Sequence, residues 1–274
     1  MRRRLSRLSV NKEQTTNMQK RILAIAVNTM RETIRDRILF VVVIFALFII
    51  ASSLFLGSIS IDQDKKIIKD FGLSAIFLLQ VFIIIFVGAN LIYKEIERKT
   101  FFMILPKPIL KQEIIFGKCL GLSLTTFIMT FLTSLVFFGT LYFKTRSFDD
   151  MPYLSLAIAL GFVETILIVL ISILFSVFTS PILSSVYTVS VFLIGHSSSV
   201  LWNLIQKEHN IVLKYVLTTL YYIFPNLEKF NIRNGVLYGI VPSGQDVFYT
   251  LLYALAYGAV LFMIAKFLFE RREY

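Results

Sequence analysis

Apolar residues along this chain collect into six long blocks, with polar residues confined to the gaps: Ile38 to Ser60, Phe71 to Tyr93, Ile114 to Phe143, Pro152 to Phe178, Ile182 to Leu204 and Phe248 to Phe269. A helix needs about 20 mostly apolar residues to cross a bilayer, and each block reaches that length. The long apolar–polar alternation of a lipid-facing barrel does not occur. Backbone in hydrocarbon must satisfy its own hydrogen bonds, so the blocks predict spanning α-helices.

Two shorter patterns predict helices that do not cross. From Met18 to Arg37, the residues Met18, Ile22, Ile25, Met30 and Ile34 recur at helical spacing, with Lys20, Arg31, Arg35 and Asp36 mostly on the opposite side. That is an amphipathic helix suited to the membrane interface, leading directly into the first span. Ile211 to Phe224 is apolar but too short to cross, and it carries Tyr215, Tyr221 and Tyr222, which suit the membrane–water boundary. It predicts a re-entrant or surface-lying helix ended near Pro225. Only Thr179-Ser180-Pro181 separates the fourth and fifth blocks, so those helices form a tight antiparallel hairpin, with Pro181 in the first turn of the fifth.

Composition supports the membrane reading. Hydrophobic residues make up 57% of the chain and charged residues 16%, against about 25% charged in a soluble domain; mean hydropathy is +0.76. The formal charge of +11 does not indicate nucleic acid, because basic residues cluster at the ends of apolar blocks and no aromatic-plus-basic recognition module appears. Placing the N-terminus inside puts 10, 6 and 3 basic residues in the inner segments and 9 in the outer loops. The positive-inside rule therefore gives both termini on the cytoplasmic side. The start, 1–17, is basic and lacks the apolar core of a cleavable leader. It reads as a flexible cytoplasmic tail that can touch anionic lipid, ahead of one six-helix membrane domain over 18–274. Cys119 is the single cysteine, which excludes an intrachain disulfide and reads as a small buried hydrophobe.

Catalytic patterns are missing. There is no G-x-x-x-x-G-K-[ST], no H-E-x-x-H and no G-x-S-x-G, and the histidines are His196 and His209 alone. No catalytic, cofactor-binding or metal site is expected, and any ATP chemistry must come from another chain. Two polar residues stand out inside the blocks. Glu164 lies near the middle of the fourth, where a charge costs about 2.5–3.5 kcal/mol on insertion scales. It is either a pathway or gating group, or a protonated or hydrogen-bonded helix contact with a nearby Ser or Thr. His196, in Gly195-His196-Ser197-Ser198-Ser199, either lines an outer vestibule or makes interhelical hydrogen bonds.

The inner segment between the second and third blocks is the most distinctive polar stretch. Glu95 stands at helical pair spacing from Arg98 and Lys99, with Glu97 between. Thr100 and the apolar patch Phe101-Phe102-Met103 follow; Pro106, Lys107 and Pro108 then impose a rigid turn before helix restarts near Lys111. Helix-capping charges explain the basic residues but not Glu95, Glu97 or the patch. The stretch reads as a helix–turn–helix docking surface for a cytoplasmic protein.

Several segments in order resemble permease subunits of ABC transporters of the type-2 exporter class. Nearest is the branch containing the nitrous-oxide-reductase maturation permease and gliding-motility permeases. They are Asn28 to Arg37, Glu95 through Pro108 to Gly121, Phe175 to Pro181 with Gly195-His196, Pro225 to Asn231, and Phe269 to Tyr274. The resemblance implies two permease chains, identical or related, each with six spans, bound to two copies of a cytoplasmic ATPase that carries ATP and Mg. It implies that Glu95 to Pro108 act as a coupling helix in a groove of that ATPase, braced by the lead-in helix with Arg31, Glu32, Arg35, Asp36 and Arg37. An extracytoplasmic accessory protein at the 202–246 loop is a further expected partner. Two other readings stay open: an ion-coupled secondary transporter using Glu164, and a membrane assembly scaffold. The expected location is the bacterial cytoplasmic membrane.

Overall fold

The computed structural model describes residues 2–59, 64–91 and 111–271, and helix accounts for all regular structure among them. α1 spans Arg2–Ile34 and α2 Arg37–Ile59. α3, Asp64–Ile83, continues as a π-helical turn over Ile84–Gly88. α4 is Lys111–Thr145 and α5 Met151–Phe178. α6 is Pro181–His196, α7 Ser198–Lys207 and α8 Ile211–Ile223. A 3-10 turn, Leu227–Phe230, and a short α9, Arg233–Leu237, precede α10, Gly244–Arg271. Five helices among the described residues are long and apolar enough to cross a membrane, or six if the bent pair α6–α7 is counted as one span.

α3 and α5 occupy the centre. Both are buried on most sides, whereas α2 buries one stripe, Leu39, Val42, Ala46, Ile50, Ser53 and Gly57, among its described residues. α10 lies along α5 and buries Thr250, Ala254, Leu261, Ala265 and Phe269, a spacing that presents one helical face. The apolar core falls into two layers. The outer one joins Ile50, Ile68, Leu73, Phe137, Leu154 and Val236; the inner one joins Ile83, Leu122, Ile168 and Val177. Phe137 fits the outer layer because α3 has glycine opposite it, since a Cβ on Gly72 would lie 2.1 Å from the Phe137 ring. The outer ends of α3, α4 and α5 are tied by the Lys69–Asp150 and Lys144–Asp64 ion pairs.

Three expectations change. The lead-in helix is described from Arg2 rather than Met18, and of the stripe that periodicity singled out it buries Ile22 and half-buries Ile25 and Met30. Its buried positions are Ile22, Ala26, Thr29 and Thr33, while Met18 and Ile34 are exposed. The reason lies on α4. Gly117 and Gly121 have no side chain, so α1 approaches α4 closely, with Ile25 over Gly117 and Ala26 and Thr29 over Gly121. Thr33 satisfies its hydroxyl by donating to the Thr29 carbonyl at 2.8 Å. α1 ends where Asp36 Oδ1 accepts from the Ile38 N–H at 3.0 Å, which caps α2.

The fifth span is also not one rod from Ile182 to Leu204. It breaks at Ser197, and α7 leaves α6 at 61°. The 16 residues of α6 extend about 24 Å, short of a hydrocarbon core of about 30 Å. The space above His196 is filled by chain from the last outer loop. Leu227, Phe230 and Val236 of that loop are buried in the bundle. Gly195 permits this, because a Cβ there would meet the Pro225 carbonyl oxygen at 2.7 Å and the Leu227 side chain at 2.8 Å. Non-helical backbone at this depth requires partners. The Tyr253 hydroxyl accepts from the Asn226 N–H at 2.8 Å, and the Tyr257 hydroxyl donates to the Ile223 carbonyl at 2.8 Å.

Candidate functional site

Two polar assemblies interrupt the apolar packing. The first lies at the inner root of the segment predicted to dock a cytoplasmic protein. Glu95, Glu97, Arg98, Lys99, Thr100, Phe101, Pro106, Lys107 and Pro108 lie outside the described residues, but both ends of their segment are described. The buried Lys118 on α4 donates from Nζ to the Leu91 carbonyl, joining the last described turn before the segment to the helix after it. The buried Glu113 pairs with Arg21 of α1 at 3.9 Å. Glu32 and Thr33 of α1, with Asp36 at the start of α2, line a small cavity with Val87, Asn90 and Leu91. Arg31, Glu32, Arg35 and Arg37 are exposed. α1, the end of α3 and the start of α4 therefore meet at the two described ends of the segment. The 35 residues of α4 extend about 52 Å, so its first turns can project past the bilayer with α1 on their flank.

The second assembly is a polar layer between the two apolar ones, near the middle of the spans. Gln80 of α3 donates to Thr130 Oγ1 of α4 at 3.1 Å. Glu164 of α5, 1% exposed, faces His196 at the end of α6, with Oε1 and Nε2 3.3 Å apart. That approach lacks hydrogen-bond alignment, and neither atom has another hydrogen-bond partner. His196 Nδ1 lies 3.3 Å from the Phe192 carbonyl, a contact that requires Nδ1 to carry the proton. Arg233 of α9 enters the layer from the outer loop. Its guanidinium sits 3.8 Å from the Phe77 ring centroid, and Nε donates to Asn231 Oδ1 at 2.8 Å. Burial pushes the Arg233 guanidinium below its ordinary value, and the charges of Glu164 and then Asp70 push it back up. Glu164, Arg233, Gln80 and Asn231 line a cavity of about 10 Å³, room for roughly one water.

Glu164 and His196 were singled out separately, and the fold brings them together. One of the two readings of Glu164 gave it a serine or threonine partner; the structure sets His196 against it and Arg233 in the same cavity. Arg233 and Lys118 carried no local signal beyond being basic flank residues. The Gly117-x-x-x-Gly121 spacing was visible and marks a close helix approach. Among the described residues, no three His, Cys, Asp or Glu side chains converge as metal ligands.

The bundle defines a multi-pass, all-helical membrane protein whose polar chemistry lies at its inner root and mid-depth layer. Sequence comparison is specific about the class. The family model for ABC-2 family transporter proteins matches residues 23–274, and the chain belongs to that family. It is accordingly a membrane permease component of an ABC transporter, a transport subunit and not itself a catalyst. No curated protein matches the chain.

Proposed function

We propose that this permease is driven by separate cytoplasmic ATPase subunits, which carry ATP and Mg and grip the segment Glu95–Pro108. Closure of the ATPases would push that segment and re-tilt the spans of two permease chains against each other. The observation that carries the reading is the bonded root. Lys118 joins α4 to the end of α3, and Gly117 and Gly121 seat α1 on α4. A push delivered between Leu91 and Lys111 therefore moves three helices together. The nitrous-oxide-reductase maturation and gliding-motility branch is proposed on the sequence segments alone.

The test is charge reversal by Glu97→Arg with Arg98→Glu in the complex with its ATPase. The expected result is retained membrane insertion, with ATP hydrolysis no longer responding to the permease. A double variant that still co-purifies and couples normally would show that the segment does not dock.

A further inference from the structure

Residues 225–237 enter the bundle from the outer side and occupy the place that a longer α6 would fill. Leu227 and Phe230 are 0% and 1% exposed, so this segment is seated rather than draped over the surface. Its seat is nevertheless polar where it matters. Arg233 is inserted beside Phe77 and lines the same small cavity as Glu164, without an ion pair between them, and Asp70 also lies within electrostatic reach. Glu228, at the other end of the segment, accepts from both the Ser199 N–H and the Ser199 hydroxyl at 2.9 Å, clasping the start of α7. Several buried polar atoms of the seat make no hydrogen bond: Glu164 Oε1, His196 Nε2 and Asn226 Oδ1. Each favours an arrangement in which water reaches it.

We infer that residues 225–237 are a removable plug in the outer half of the bundle, latched by the charge of Arg233 against Glu164 of α5. The latch acts on the plug as a unit. Arg233 in place compensates Glu164, and Glu164 in place compensates Arg233. Removing Arg233 leaves Glu164 with no cation in its cavity, and removing Glu164 leaves Arg233 with only Asp70 within electrostatic reach, so in either case the seat favours water and the plug lifts. Removing both leaves no uncompensated charge, and the apolar anchors Leu227, Phe230 and Val236 hold it. Lifting the plug opens a water-accessible vestibule down to Glu164 and His196 from the outer side. This inference rests on the chain spanning the membrane and is independent of how an ATPase docks.

The experiment places a single reporter on the buried face of the plug. Val236→Cys in a Cys119→Ala background puts one thiol in the outer apolar layer, where Val236 is 8% exposed. The full chain in its membrane is treated from the outer side with a membrane-impermeant maleimide. Arg233→Gln and Glu164→Gln should each accelerate labelling about tenfold, within the coupling range of contacting residues. Arg233→Lys, which keeps the charge, should label within about twofold of the parent, and the paired Glu164→Gln/Arg233→Gln within about threefold. Single variants that label no faster than the parent would overturn the latch. So would a paired variant that labels faster than either single one. Should a single variant fail to insert, Arg233→Lys and the paired variant preserve the charge balance and still decide: fast labelling in both overturns the proposal, and parent-like labelling in both supports it.

Discussion

The contact between α1 and α4 makes a quantitative prediction, because three glycines on α4 differ only in what a Cβ would meet. At Gly121 an added Cβ would lie 2.6 Å from the Ala26 carbonyl oxygen and 2.6 Å from Thr29 Cβ, against the 3.4 Å where ordinary contact begins. The two nearest obstacles are a backbone oxygen and a Cβ, with Thr29 Cγ2 next at 3.0 Å, so no long side-chain end is there to swing aside. α1 must therefore retreat by about 0.8 Å, the difference between those two distances. At Gly139 nothing lies within 4 Å. Both Gly→Ala changes gain about 1 kcal/mol of helix propensity, but only Gly121→Ala adds overpacking, which costs about 1–3 kcal/mol. The difference between the two variants isolates the packing cost, and Gly121→Ala should be the less stable by about 1–3 kcal/mol. Native Cys119 is a built-in reporter: it is buried, 7% exposed, two residues from Gly121 on the same helix. Its reaction with a thiol-activated fluorophore during heating in lipid–detergent micelles follows unfolding. If Gly121→Ala melts no lower than Gly139→Ala, α1 does not sit on this glycine face.

Other expectations follow from single contacts. Lys118→Met removes the bond to the Leu91 carbonyl; ATPase stimulation should fall although the docking segment itself is unchanged, and unaltered stimulation would exclude this link from the coupling path. Tyr253→Phe leaves the Asn226 N–H without its acceptor and should destabilise by about 1–3 kcal/mol, read in the same thermal assay. Gly195→Ala drives a methyl into the Pro225 carbonyl and the Leu227 side chain; it should speed maleimide labelling at Val236→Cys while leaving membrane insertion intact.

The spans were legible because the apolar blocks mark them directly. The observed helices α2, α4, α5 and α10 begin and end within a few residues of the blocks that predicted them. The α5–α6 hairpin was equally visible, since Ser180 and Pro181 leave no room for anything else. The candidate site was only partly legible. Glu164 announced itself by its position in a greasy helix, but Arg233 sits 69 residues later in sequence, in a loop where a basic residue is unremarkable. The face of α1 was legible only in part: Ile22 and Ile25 do turn to α4, but hydropathy ranks Met18 and Ile34 above Thr29 and Thr33, whereas the close approach to Gly121 selects small residues.

What the sequence alone determined is the membrane class, the number and order of apolar blocks, the side on which basic charge accumulates, and the lack of a nucleotide-binding loop. These depend on transfer of each segment from water to lipid, a local property that needs no knowledge of neighbours. What only the tertiary structure decided is where α6 breaks, what fills the space above it, and which charges meet at mid-depth. Inside a bilayer the apolar effect cannot choose between one helix partner and another, so these arrangements depend on glycine-sized gaps, tyrosine hydroxyls and buried charges that meet across the fold.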